Sequence, residues 1–171
     1  MKKLISLLLL VIMCFMALGC GSKQAEKKDF TIVTSFYPMY IDVINITKDV
    51  EGVKVINMTK PQTGCLHDYQ LTTEDMKTLE QADVFVANGA GMESFRDKAT
   101  KQNKNMKVVE ASNYKDINFI KDGDADNPHV WMSVTYAIAQ VKAITAALCE
   151  ADPAHKDAYR KNALDYCMKL E

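Results

Sequence analysis

No part of this 171-residue chain is basic enough to carry a nucleic acid: 21 Lys and Arg face 22 Asp and Glu, and no cationic stripe stands out. Nor is any apolar run long enough to cross a bilayer. The longest, from Leu4 to Leu18, falls short of the ~20 residues a spanning helix needs. Cysteine is scarce, five residues in all, and no two are spaced Cys-x-x-Cys. That excludes both a disulfide framework and a zinc-finger spacing. Histidine is scarcer still, at three residues, so each one deserves a reason.

What is present begins with an address. Met1-Lys2-Lys3, the apolar run and Gly19-Cys20 have the layout of a secretory signal peptide over residues 1–19. Ala17-Leu18-Gly19-Cys20 resembles a lipobox with its first two residues in the less usual order, which implies diacylglyceryl transfer to Cys20 and cleavage before it. Loss of Lys2 and Lys3 leaves a mildly acidic mature chain. Residues 20–29 (CGSKQAEKKD) are polar and read as a lipid-anchored flexible tether. One acyl chain binds a membrane only marginally, so Cys20 is expected to carry several. The expected location is extracytoplasmic, at the cell membrane. With Cys14 in the signal and Cys20 on lipid, Cys65, Cys149 and Cys167 remain, an odd number.

From Phe30 onward there is enough chain for one domain with a core. Phe30–Phe36 (FTIVTSF), Val53–Met58, Asp83–Asn88 and Met106–Glu110 read as strands, the third apolar enough to be buried on both faces. Helices are expected from Pro38 over Met39–Val50, with Ile41, Val43 and Ile44 inward. Another follows the capping-box pattern Thr72-x-x-Asp75. A third runs over about Glu93–Lys101, and a long one follows Ser133 as N-cap, with Val134, Ala137, Ile138, Val141, Ile144 and Leu148 on one face. Pro153 opens the last, with Ala154, Ala158, Leu164 and Met168 toward its core side. Alternating strands and helices predict an α/β fold: a parallel sheet with helices on both faces.

Ligands of such sheets bind beyond the carboxyl ends of the strands, which points to the loops after Met58, Asn88 and Glu110. Two of those loops hold His67 and His129. A neutral imidazole suits a borderline divalent metal, and two on rigid turns supply half of a tetrahedral site. Pro128 stiffens the approach to His129, and Asp68 and Asp126 are candidate partners that fix an imidazole tautomer. His155, among Lys156, Asp157 and Arg160, reads as a solvated helix position. Cys65 reads as an ordinary thiol, although a third metal ligand or a nucleophile is the alternative. Gly89-Ala-Gly-Met-Glu-Ser94 imitates a dinucleotide fingerprint, making a Rossmann enzyme the rival. Against it, Ser94 replaces the third glycine, the motif follows the third strand, and Glu93 would bring a carboxylate to the pyrophosphate position. Met76, Met92, Met106 and Met132 would suit copper(I), but they fall on separate elements and read as packing.

His67-Asp68-Tyr69, Thr72-x-x-Asp75-Met76-x-x-Leu79-x-x-Ala82-Asp83, Asn88-Gly-Ala-Gly-Met-Glu93 and Asn127-Pro-His-Val-Trp-Met-Ser133, in that order, resemble the zinc/manganese ABC-transporter solute-binding protein family. The resemblance runs from Phe30 to the last residue. It implies two α/β lobes joined by a long helix, with a metal between them. Its ligating histidines match His67 and His129, and its other two ligands, a His or Glu and an Asp, belong to the second lobe. Residues 30–150 would then be the N-terminal metal-binding lobe and 151–171 the start of the linking helix, beginning at Asp152–Asp157. The chain would be a fragment or a truncated product without its second lobe. The resemblance further implies capture of Zn²⁺, or alternatively Mn²⁺, and delivery to a membrane permease driven by an ATPase, with no enzymatic activity. The protein is expected to be a monomer. Many zinc members carry a histidine-rich loop where Lys121–Asn127 is acidic and lacks histidine, which leaves the metal open. A surface adhesin is the remaining alternative.

Overall fold

The computed structural model describes residues 28–59 and 66–171. The signal segment, Cys20, most of the tether and Cys65 lie outside the described residues. No described helix is long and apolar enough to cross a membrane.

Strands β1 (Phe30–Thr34), β2 (Val53–Asn57), β3 (Val84–Ala87) and β4 (Lys107–Glu110) form one sheet in the order β2-β1-β3-β4. All three pairings are parallel, with Val33 opposite both Ile56 and Phe85, and Val86 opposite Val109. Every residue of β3 is buried, as its uninterrupted apolar run predicts for a central strand. Helices α1 (Tyr37–Ile46), α2 (Thr73–Glu80) and α3 (Arg96–Gln102) connect the strands, and α4 (Val134–Ala151) and α5 (Lys156–Leu170) follow β4. Right-handed crossovers on opposite sides of β1 put α1 on one face and α2 and α3 on the other. Helices α4 and α5 pack with α1. The chain steps outward from β1 to β2 and then back past it to β3, so the gap between the carboxyl ends of β1 and β3 is the sheet's switch point.

Helix α2 starts as expected. Thr72 Oγ1 accepts from the Asp75 amide at 3.1 Å while the Asp75 carboxylate accepts from the Thr72 amide at 2.7 Å. Ser133 is the residue before α4, but its side chain makes no capping bond.

The buried faces of the outer helices differ from expectation. In α1 the stripe is Met39, Asp42, Val43 and Ile46, whereas Ile41 and Ile44 are only half-buried. In α4 Val141, Ile144 and Leu148 are buried, and Val134 is exposed. In α5 Tyr159 and Ala163 face inward, while Leu164 and Met168 are exposed. The reason in α5 is polar: Tyr159 can be fully buried because its hydroxyl donates to Asp152 Oδ2 at 2.6 Å, so the larger aromatic surface wins the core position. His155 shares that acceptor through Nδ1 at 2.6 Å, which makes it a bonded turn residue instead of a solvated one. Helix α5 is further tied to α1 by Asn162, whose Nδ2 donates to the carbonyls of Ile46 and Lys48 at the end of α1.

The buried Asp42 carboxyl faces α5, where Tyr166 donates to it at 3.4 Å. Burial pushes its pKa from the ordinary 3.8 to about 7, and the Tyr166 bond offsets this only in part. A carboxyl that holds its proton more tightly when folded stabilises the fold at low pH, and that contribution disappears as the pH rises through about 7. Thermal melts between pH 4 and pH 8 should therefore show the protein losing stability toward pH 8. Asp42→Asn should weaken the trend and raise the pH 8 midpoint by about 5 °C; an equal pH dependence in both proteins would contradict this.

Candidate metal centre

The switch point is organised by one carboxylate. Glu93 Oε1 accepts from the Ser35 hydroxyl after β1 at 2.7 Å and from the Asn88 amide after β3 at 2.8 Å. Its Oε2 accepts from the Gly89 amide at 2.9 Å. Burial pushes the Glu93 carboxyl up, and the donors from Gly89, Ser35 and Asn88 pull it back. The amides that would cradle a pyrophosphate in a dinucleotide-binding turn are thus occupied by the protein's own carboxylate. This geometry removes the basis for the Rossmann alternative. Gly89 has φ +85, and a Cβ there would lie 3.0 Å from both Glu110 Cβ and Ser112 Oγ. The glycine is required both by its left-handed backbone and by this close approach. Glu110 is ion-paired with Arg96.

His67 lies on the connection from β2 to α2. Leu66 beside it is fully buried, and Tyr69 closes the turn by donating its amide to the Leu66 carbonyl at 3.1 Å. The Tyr69 ring packs edge-on against Phe95, with centroids 5.5 Å apart, and its hydroxyl donates to Asp75 Oδ2 at 2.8 Å. Burial and the neighbouring Asp75 carboxylate push the Tyr69 phenol up to about 12, so it stays a donor at neutral pH. Ser94, the residue that spoils the dinucleotide fingerprint, donates its hydroxyl to the His67 carbonyl at 2.9 Å. The turn that carries His67 is thereby held at Leu66, at Tyr69 and at the His67 carbonyl, while the His67 residue is exposed.

His129 lies on the long connection from β4 to α4. That connection contains a short antiparallel hairpin, β5 (Lys121–Asp122) with β6 (Ala125–Asp126), turned at Gly123 with φ +63. Its two-residue loop is Gly123-Asp124, with glycine at the first position, where the left-handed backbone is needed. A small satellite core of Ile117, Val130 and Ala139, with Tyr114, Phe119 and Tyr136 against it, seats the rest of the connection. Trp131 lies 5.1 Å from the His129 ring and 5.0 Å, edge-on, from Phe36. The expected partnership between Asp126 and an imidazole is not made: Asp126 pairs with Lys121 at 2.6 Å. Asn127 instead bonds the ring Nδ1 of His129 at 2.8 Å, a residue that attention to carboxylates alone passes over. Asp68 is exposed.

The two histidines come together. Their ring centroids are 6.3 Å apart, with the ring planes inclined by 44°. Among the described residues no group of three or more His, Cys, Asp and Glu is arranged to hold a metal. The methionines do not supplement the two histidines: Met92 and Met106 are buried in the core and Met132 is exposed on the surface. A separate groove lies between α4 and α5, where Ile138, Cys149, Leu164 and Cys167 line it.

Comparison with known proteins places these features. The family described as zinc-uptake complex component A, periplasmic, matches residues 32–171. The high-affinity zinc uptake system protein ZnuA of Bacillus subtilis is 30% identical over 178 residues, covering 95% of this chain and 55% of that protein. The manganese-binding lipoprotein MntA of Halalkalibacterium halodurans is 27% identical, covering 100% of this chain and 57% of its own length. Among solved structures, the Zn(II)-bound ZnuA-like domain of Streptococcus pneumoniae AdcA superposes with a TM-score of 0.72 at 28% identity, covering 83% of this chain and 52% of that one. The chain therefore spans about half the length of the relatives it matches.

The tight turn after β3 makes one substitution diagnostic. Gly89→Ala should destabilise the protein by about 2 kcal/mol in urea unfolding. Unchanged stability would mean that neither the left-handed backbone nor the contact with Glu110 and Ser112 constrains this turn.

Proposed function

The chain belongs to the zinc-uptake complex component A family, a family of solute-binding receptors, and from that premise we propose that it captures a divalent transition metal outside the cytoplasm through His67 and His129. The observation that carries the proposal is the 6.3 Å approach of two imidazoles from separate connections. Two imidazoles sharing one tetrahedral Zn²⁺ at ordinary bond lengths have ring centroids about 5 Å apart. Closing the remaining ~1 Å is a side-chain adjustment. The pair supplies half of a four-coordinate site, so the remaining ligands come from the other half of the length seen in the relatives. Residues 30–150 act as the first lobe, and α5 begins the helix that leads to the second.

Zn²⁺ is the favoured cargo and Mn²⁺ the alternative. Nitrogen donors place Zn²⁺ well above Mn²⁺ in affinity, and Mn²⁺ is better served by carboxylate and water oxygens. Relatives named for each metal keep both in play. An ABC permease and its ATPase receive the ion, and lipidation of Cys20 holds the receptor at the membrane as a non-enzymatic monomer. Because a metallated imidazole must be unprotonated, acid releases the ion.

Zinc titration calorimetry tests the assignment. His67→Ala and His129→Ala should each weaken binding by at least ~10-fold while circular dichroism stays that of the parent. Parent-like binding by both variants would remove the two histidines from the site.

A further inference from the structure

We propose that Asn127 is a positioning residue for metal capture: it fixes the tautomer of His129 so that Nε2 carries the lone pair offered to the ion. The proposal rests on the metal reading of His129 given above. Asn127 Oδ1 accepts from the His129 backbone N–H at 3.0 Å and lies 2.8 Å from ring Nδ1. Only an oxygen can accept from that backbone N–H, so the amide is oriented with its oxygen toward both groups. An oxygen has no proton to give the ring. Nδ1 is therefore the donor, and Nε2 is left with its lone pair exposed to coordination. A solvated imidazole prefers the opposite arrangement, with the proton on Nε2, so the tautomer here is imposed by the turn.

Asn127 can impose it because the turn itself is anchored. The peptide carbonyl of Pro128, one residue before His129, accepts from Asn88 Nδ2 at 2.9 Å. Asn88 is fully buried. Its Nδ2 also donates to the Gly89 carbonyl at 3.0 Å, and its Oδ1 accepts from Gln140 Nε2 on α4 at 2.9 Å. Gln140 is equally buried, and its own Oε1 has no hydrogen-bond partner among the described residues. An amide that leaves an acceptor buried and unmatched is oriented by its other end, here by Asn88. The line of side chains thus runs from α4 through the end of β3 to the Asn-Pro-His turn. Loss of an orienting partner of this kind typically costs 10–100-fold in metal affinity.

The tautomer can be read in the metal-free chain by long-range ¹H–¹⁵N correlation of the His129 ring, alongside zinc titration. The parent should show the proton on Nδ1. Asn127→Ala should shift the ring to the Nε2–H form and weaken zinc binding about 10-fold or more. Asn127→Asp keeps an acceptor for both bonds and should restore the Nδ1–H form and near-parent affinity. The proposal is overturned if Asn127→Ala retains the Nδ1–H form, or loses affinity with no change of tautomer, or if Asn127→Asp fails to restore the ring. Parent-like zinc binding by His129→Ala would instead overturn the metal reading, and the tautomer data would still decide whether Asn127 orients the ring.

Discussion

The carboxylate of Glu93 is the tie on which the rim of the sheet depends. It gathers the Ser35 hydroxyl and the amides of Asn88 and Gly89 into one buried cluster, and so joins the ends of β1 and β3 at the point where an open α/β sheet parts. A carboxylate is costly to bury, and several donors are needed to hold it. Satisfying it fixes the backbone of Asn88. That in turn aims the Asn88 side chain at Pro128, and Ser94, one residue beyond Glu93, reaches the His67 carbonyl. Both proposed ligands are thus referred to the same short turn after β3. The same cluster explains why a glycine pattern reminiscent of nucleotide binding belongs to a protein of another kind: the anion the turn accommodates is already part of the chain.

The two imidazoles are held differently. His129 is half-buried, its Nδ1 is bonded, and Trp131 stands beside it. His67 has a fixed backbone but an exposed residue position. The proposed site takes a pair of donors from this chain, which spans about half the length of the relatives it matches.

Much of this was legible in the residues. The unbroken apolar run Val84–Ala87 announced a central strand, Thr72 and Asp75 announced their capping box, and the strand-end rule led directly to the loops of His67 and His129. The failures have physical causes. Counting aliphatic residues put Leu164 and Met168 inward on α5, whereas Tyr159 takes the core because Asp152 satisfies its hydroxyl. In α1 the same count overlooked Asp42, a carboxyl that joins the buried stripe and accepts from Tyr166. The hairpin at Lys121–Asp126 has strands of two residues each, too short for periodicity to register. Asn127 was missed because carboxylates were weighed first; an Asn two residues before a histidine amide, ahead of proline, is itself a turn signal.

The central claim is that one ion is shared by two imidazoles brought together from separate connections. Loading the ¹⁵N-histidine-labelled chain with one equivalent of ¹¹³Cd²⁺ makes this visible as scalar coupling between the metal nucleus and its nitrogen ligands. The account predicts a single cadmium resonance coupled to Nε2 of His129 and to a ring nitrogen of His67. Coupling to only one of the rings, or to neither, would contradict it.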